Sequence, residues 1–161
     1  MFDPTAYENM KVVIEGAAYD LDIDGNIKVV DRKDIIDLAR MNRWFEITYR
    51  SVSSSKVMAT FTLEANLNQL ASELLHQVNG NQAGADVHIT FSWDENGKNY
   101  KERIKKHWGT DHVYEERKID SSSHGVREEV IIGFSRAITE DMIDDLIEMF
   151  HYSVETLEQL N

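Results

Sequence analysis

Four aspartates make up the densest group of chemically capable residues in this chain. Asp20, Asp22 and Asp24 alternate along Asp20-Leu21-Asp22-Ile23-Asp24-Gly25, and Asp31 follows five residues after Asn26. Carboxylates spaced this way suit a hard cation such as calcium, which takes roughly six to eight oxygen ligands, and a glycine lets the backbone bend around it. The same residues also have a purely structural reading. Leu21 and Ile23 alternate with the aspartates as in a half-buried strand, and Asp24-Gly25 is a hairpin turn signal.

Over residues 20–31 the pattern resembles the EF-hand calcium loop. Positions one, three, five and twelve are acidic, position six is Gly25 and position eight is Ile27. The resemblance covers twelve of the 161 residues and implies a calcium site at Asp20, Asp22, Asp24 and Asp31. Asp31 stands where the loop normally has glutamate, so its carboxylate is one methylene shorter and bidentate closure is harder. The flanking Lys11-Val12-Val13-Ile14 is β-branched, and Phe91 to Arg103 holds no second ladder of carboxylates. A hairpin with aspartates facing water is the expected structure, and a weak calcium-binding module is the alternative.

No other residue set has the spacing of a catalytic or cofactor signature. His76, His88, His107, His112, His124 and His151 are scattered, without an HExxH-type pair. Ser51 to Ser55 and Ser121 to Ser123 are turn-formers without a nucleophile context, and there is no glycine-rich phosphate loop. No catalytic residue and no cofactor other than calcium is assigned.

Charge is unevenly distributed. Lys98, Lys101, Arg103, Lys105 and Lys106 surround Tyr100, Ile104 and Trp108 at helical spacing, with Glu102 the sole acid among them. This is a candidate anion or partner patch, weighed against an ordinary solvated helix face. The last helix has the opposite sign: Glu140, Asp141, Asp144, Asp145, Glu148, Glu155 and Glu158, with no lysine or arginine. Docking of this acidic surface on the basic segment, within one chain or between two, is the corresponding expectation.

The elements that position these residues follow from periodicity. Leu67, Leu70, Ala71, Leu74, Leu75 and Val78 mark a helix with Asn66 as N-cap and Gly80 as stop. Met142, Ile143, Leu146, Ile147, Phe150, Val154 and Leu157 mark a second, capped by Thr139. Strands are expected at Met10–Ile23, Asn26–Val30, Phe45–Tyr49, Val57–Leu63, Val87–Trp93, His112–Ile119 and Val130–Phe134, where apolar residues alternate. Short amphipathic pieces lie at Asp31–Arg40 and Lys98–Trp108.

The expected fold is therefore α+β, an antiparallel sheet or sheets with two principal helices packed on one face. Residues 1–161 are read as one domain. An echo at an offset of about seventy residues suggests internal duplication of a hairpin-hairpin-helix unit, with halves 1–80 and 85–161 meeting near Asn79 to Gly84. It matches the turns Ser53-Ser54-Ser55 and Ser121-Ser122-Ser123, and Asp24-Gly25 with Asn96-Gly97. Chance recurrence of a common string is the alternative.

Composition bounds the function. With 29 acidic and 17 basic residues the formal charge is −12, which opposes general attraction to nucleic acid or anionic membranes. Cysteine is absent, which removes disulfides and thiolate chemistry, and the opening residues lack the pattern of a signal peptide. A cytoplasmic protein is expected. The leading functional reading is a non-enzymatic binding or interaction domain with a protein partner or itself, as a homodimer. The alternative is a small-ligand enzyme or carrier with a cavity between sheet and C-terminal helix, lined by Trp44, Trp93 or Tyr152.

Overall fold

A computed structural model of the chain describes residues 5–74, 84–94 and 99–161. Lys98, His76, the Gly80 stop, the Asn96-Gly97 turn and most of the midpoint loop lie outside them. The elements run α1 (Thr5–Ile23), β1 (Ile27–Asp37), β2 (Asn42–Ser51), β3 (Val57–Ala65), α2 (Leu67–Leu74), β4 (Asp86–Asp94), α3 (Tyr100–Trp108), β5 (Val113–Ser121) and β6 (Gly125–Gly133). A 3-10 turn (Glu140–Met142) then leads into α4 (Ile143–Leu160). All six strands form one antiparallel sheet in the order β1-β2-β3-β4-β6-β5. The α+β class and antiparallel sheet are as the apolar alternation predicts.

Alternation works because, among the described residues, only one face of this sheet is covered. Cross-strand rows such as Tyr49, Ala59, Phe91 and Val130, and Ile47, Phe61, Ile89 and Ile132, are wholly buried beneath helices. The row on the opposite face, Thr48, Thr60, Thr90 and Ile131, is half-exposed.

The first helix is a correction. Met10–Ile23, expected as a strand, belongs to the 19-residue α1. Tyr7, Met10, Ile14 and Ala18 are all buried and fall at spacings of three, four and four, one stripe of a helix, while Val12 in the β-branched run faces solvent. Burial of that stripe outweighs the small helix penalty of valine and isoleucine, a few tenths of a kcal/mol each. The Tyr7 hydroxyl donates to the Leu63 carbonyl at 3.1 Å, fixing α1 on the sheet.

Asp24-Gly25 is accordingly a helix stop instead of a hairpin turn. The amide of Asn26 donates to the Leu21 carbonyl at 2.9 Å and that of Gly25 to the Asp22 carbonyl at 3.0 Å, the paired bonds of a Schellman motif. Gly25 takes φ +79°, which glycine adopts without steric cost. The expected strand at Asn26 also extends further, since Asp31 to Asp37 continues β1. The second amphipathic piece is helical, as α3.

The two principal helices are α1 and α4, side by side on the covered face; α2 is described over Leu67–Leu74, and Leu75 and Val78 of the expected helix lie outside the described residues. Asn66 caps α2 as expected, in a reciprocal box: its Oδ1 accepts the Gln69 amide at 2.9 Å and Gln69 Oε1 accepts the Asn66 amide at 2.8 Å. Thr139 precedes the 3-10 turn, but its side chain makes no capping bond. In α4, Leu146, Phe150, Val154 and Leu157 are buried, and Phe150 meets Tyr49 and Phe61 edge-on at 5.1 and 6.1 Å.

Both serine turns close tight hairpins, β2 to β3 and β5 to β6, by the same device. The Ser51 hydroxyl accepts the Ser53 amide at 3.3 Å, and the Ser121 hydroxyl accepts the Ser123 amide at 3.3 Å. Tyr19 and Leu21, matched above with Phe91 and Trp93, lie on a helix while their counterparts lie on a strand. Among the described residues, no helix is long and apolar enough to cross a membrane.

Candidate functional site

The four aspartates occupy three different elements. Asp20 and Asp22 lie in the last turns of α1, Asp24 in the stop and Asp31 in β1. Asp22 Oδ2 accepts the Val29 amide at 2.8 Å, so this carboxylate ties the helix end to the first strand. Asp31 approaches Lys33 at 3.9 Å. No group of three or more histidine, aspartate or glutamate side chains is placed to hold a metal ion among the described residues.

The basic segment packs where its apolar stripe directs. Ile104 and Trp108 of α3 are buried, and Trp108 Nε1 donates to Thr156 Oγ1 of α4 at 3.1 Å. Lys101 and Lys105 both reach Glu116 of β5, Lys101 at 3.3 Å. Hydrogen bonding from Lys105, ahead of burial, which acts in the opposite sense, holds the Glu116 carboxyl below its ordinary range. Arg103 donates to the Gln159 carbonyl, at the negative end of the α4 dipole. Lys106 is exposed and makes no ion pair with a described residue. So α3 does dock on α4, but through aromatic contacts and a backbone carbonyl, and its ion pairs go to β5.

A second charged cluster joins α1 to the sheet. Arg43 of β2 pairs with Glu8 and, at 3.3 Å, with Asp34; Lys11 pairs with Glu8 at 3.0 Å and Asp34 at 2.7 Å. Burial opposes ionisation of both carboxyls, yet hydrogen bonds from Arg43 and Lys11 hold them below their ordinary values. The Arg43 guanidinium also lies over the Tyr7 ring at 4.7 Å.

Among the described residues, three surfaces could receive another molecule. The first is the end of the β1–β2 hairpin, where Ile35, Ile36, Leu38, Met41 and Trp44 are 39 to 79% exposed. Ile35 pairs across the strands with Trp44, and the loop turns through Met41 at φ +58°. Reading Asp31–Arg40 as an amphipathic piece hides this patch, because only strand pairing brings Ile35 opposite Trp44.

The second is the uncovered sheet face, a trough of about 530 Å³ floored by Thr48, Thr60, Thr90 and Ser92 and rimmed by charges of both signs. The third is a pocket of about 510 Å³ on the outer flank of α4, bounded by Trp108, His112, Phe134, Met149 and Tyr152. Of the aromatics expected around a sheet–helix cavity, Tyr152 alone lines this pocket. Trp93 is core, donating to Glu128 at 3.0 Å, and Trp44 is on the hairpin. The space between sheet and α4 is filled by Tyr49, Phe61 and Phe150.

Comparison with models of known families, with curated proteins and with solved structures finds no match to this chain.

Proposed function

We propose that this protein is a non-enzymatic interaction domain that works as a homodimer, joined through the β1 edge and the apolar end of the β1–β2 hairpin. The observation that carries the reading is the exposure of Ile35, Ile36, Leu38, Met41 and Trp44 at the end of the edge hairpin, with Ile35 and Trp44 paired on one face and Ile36 on the other. Exposed apolar side chains concentrated at one end of a hairpin mark an interaction site, because leaving them in water forgoes about 25 cal/mol per Å².

The occupant is a second copy, on grounds of charge. At −12 overall, two chains repel unless they meet at a neutral surface. Strand β1 is such a surface, with Lys28, Arg32 and Lys33 against Asp31, Asp34 and Asp37. Antiparallel pairing of two β1 strands about Arg32 sets Asp31 of each copy opposite Lys33 of the other, and Arg32 is already paired with Glu15 at 3.4 Å. In this register each hairpin end runs past Lys28 and Asn26 of the other copy, so its apolar residues lie beside that copy's α1–β1 bend, and the two contacts are related by the symmetry axis.

Sedimentation equilibrium of the wild type and of Ile36→Asp/Leu38→Asp tests it. A wild-type dimer and a folded, monomeric variant are expected; a monomeric wild type, or a variant that remains dimeric, removes the proposal. A cytoplasmic location, expected from composition, accompanies this reading. A second reading, a small-ligand carrier, draws support from the aromatic pocket beside α4.

A further inference from the structure

We propose that the pocket on the outer flank of α4 binds a methylated ammonium group, a quaternary organic cation held on aromatic faces with carboxylates at the rim. This rests on the carrier reading and is independent of the dimer. The walls are the first reason. Trp108, buried at the base, meets Tyr152 at 4.6 Å and 86°, Phe134 at 5.9 Å and 64°, and His112 at 6.0 Å and 73°; His112 and Phe134 meet at 5.0 Å and 70°. These rings all line the pocket, packed edge to face against one another. Each ring face carries negative quadrupole density, so a cation resting on the faces open to the pocket is attracted to them.

The lining is rigid as well as aromatic. Trp108 is anchored through Nε1 to Thr156, whose hydroxyl donates in turn to the Tyr152 carbonyl at 2.7 Å. Tyr152 is held by its hydroxyl on the His107 carbonyl and by stacking on the His107 ring at 4.2 Å. A preformed site spends little binding energy on ordering itself.

Charge is the second reason. Asp111, Asp145 and Glu148 line the pocket and form no ion pair with a described residue, while Arg136 is the one guanidinium there. The rim is thus negative, in a chain whose overall field also draws cations. Met142, Met149 and Ile138 add apolar lining that suits methyl groups, while the carboxylates stand at the rim. The volume of about 510 Å³ is that of a small-molecule site.

A methylated ammonium can belong to a free metabolite or to a trimethylated lysine, and the two share this chemistry. Calorimetric titration with choline, with its uncharged isostere 3,3-dimethyl-1-butanol, and with a short peptide carrying trimethyl-lysine separates the cases. Binding of choline or the peptide, at least about tenfold tighter than the isostere, is expected; the tighter of the two identifies the source. Asp145→Asn/Glu148→Gln, two exposed rim changes that leave the rings in place, should weaken cation binding several-fold and leave any isostere binding unaltered. Equal binding of choline and isostere would overturn the cation proposal but keep the carrier reading. No binding of any of the three probes would remove both.

Discussion

Asp22 and Val29 close the bend between α1 and β1, the carboxylate accepting the strand amide at 2.8 Å. A charged acceptor on a backbone donor is worth about 1.5 to 3 kcal/mol, less where solvent reaches it. Asp22→Ala should therefore destabilise the fold by about 1 kcal/mol in urea denaturation. Because this carboxylate is committed and Asp31 lies across the bend on a strand, millimolar calcium should raise neither the melting temperature of the wild type nor that of the variant. Calcium-dependent stabilisation would restore the loop reading.

The cluster of Glu8, Lys11, Asp34 and Arg43 gives the acid limb of stability. Glu8 and Asp34 lie below their ordinary values of 4.5 and 3.8 despite the opposing effect of burial. A depressed carboxyl stabilises the fold above its unfolded pKa, and that stability is lost as pH falls through the folded value. Stability should thus be flat near neutrality and fall below about pH 4.5. Arg43→Met, which removes one of the two cations facing both acids, should make the acid limb shallower. Denaturation midpoints measured between neutral pH and pH 3 would show it; an unchanged slope would assign the acid sensitivity elsewhere.

Strands were readable here because a sheet with one covered face imposes period two on its sequence, as Phe45, Ile47 and Tyr49 display. α1 was not, because its buried positions Tyr7, Met10, Ile14 and Ala18 are interrupted by valines that look like strand in a short window. Only the full helix length shows the stripe. The hairpin patch was hidden for a different reason: exposure of Ile36 or Leu38 depends on which neighbours the fold brings near, and no local pattern encodes that. The pocket draws on α3, the segment after β6 and α4, which meet only in three dimensions.

Gly84 meets a backbone constraint that no other residue satisfies. Ala85 and Ile138 exchange hydrogen bonds of 2.9 and 2.8 Å, and Gly84 sits beside this bridge at φ +119°, where a Cβ would collide with the Ile138 carbonyl. Gly84→Ala should cost at least about 2 kcal/mol from the conformation and the clash together. Urea denaturation measures it. The bridge also positions the segment that leads from β6 into the pocket, so loss of choline binding in this variant at temperatures where it remains folded is the accompanying expectation.

The basic face of α3 separates into a structural part and a free part, and charge reversal can tell them apart. Lys105 shares Glu116 with Lys101, whereas Lys106 faces solvent without an ion pair to a described residue. Exposed pairs are worth at most about 1 kcal/mol, and reversal adds repulsion of similar size. Lys105→Glu should destabilise by about 1 kcal/mol in low salt, with the loss shrinking as salt rises, because screening weakens the repulsion from Glu116. Lys106→Glu should change stability by less than about 0.5 kcal/mol. If Lys106→Glu instead altered the oligomeric state, the basic face would be part of an interface, and the dimer would have to be rebuilt around α3 in place of β1.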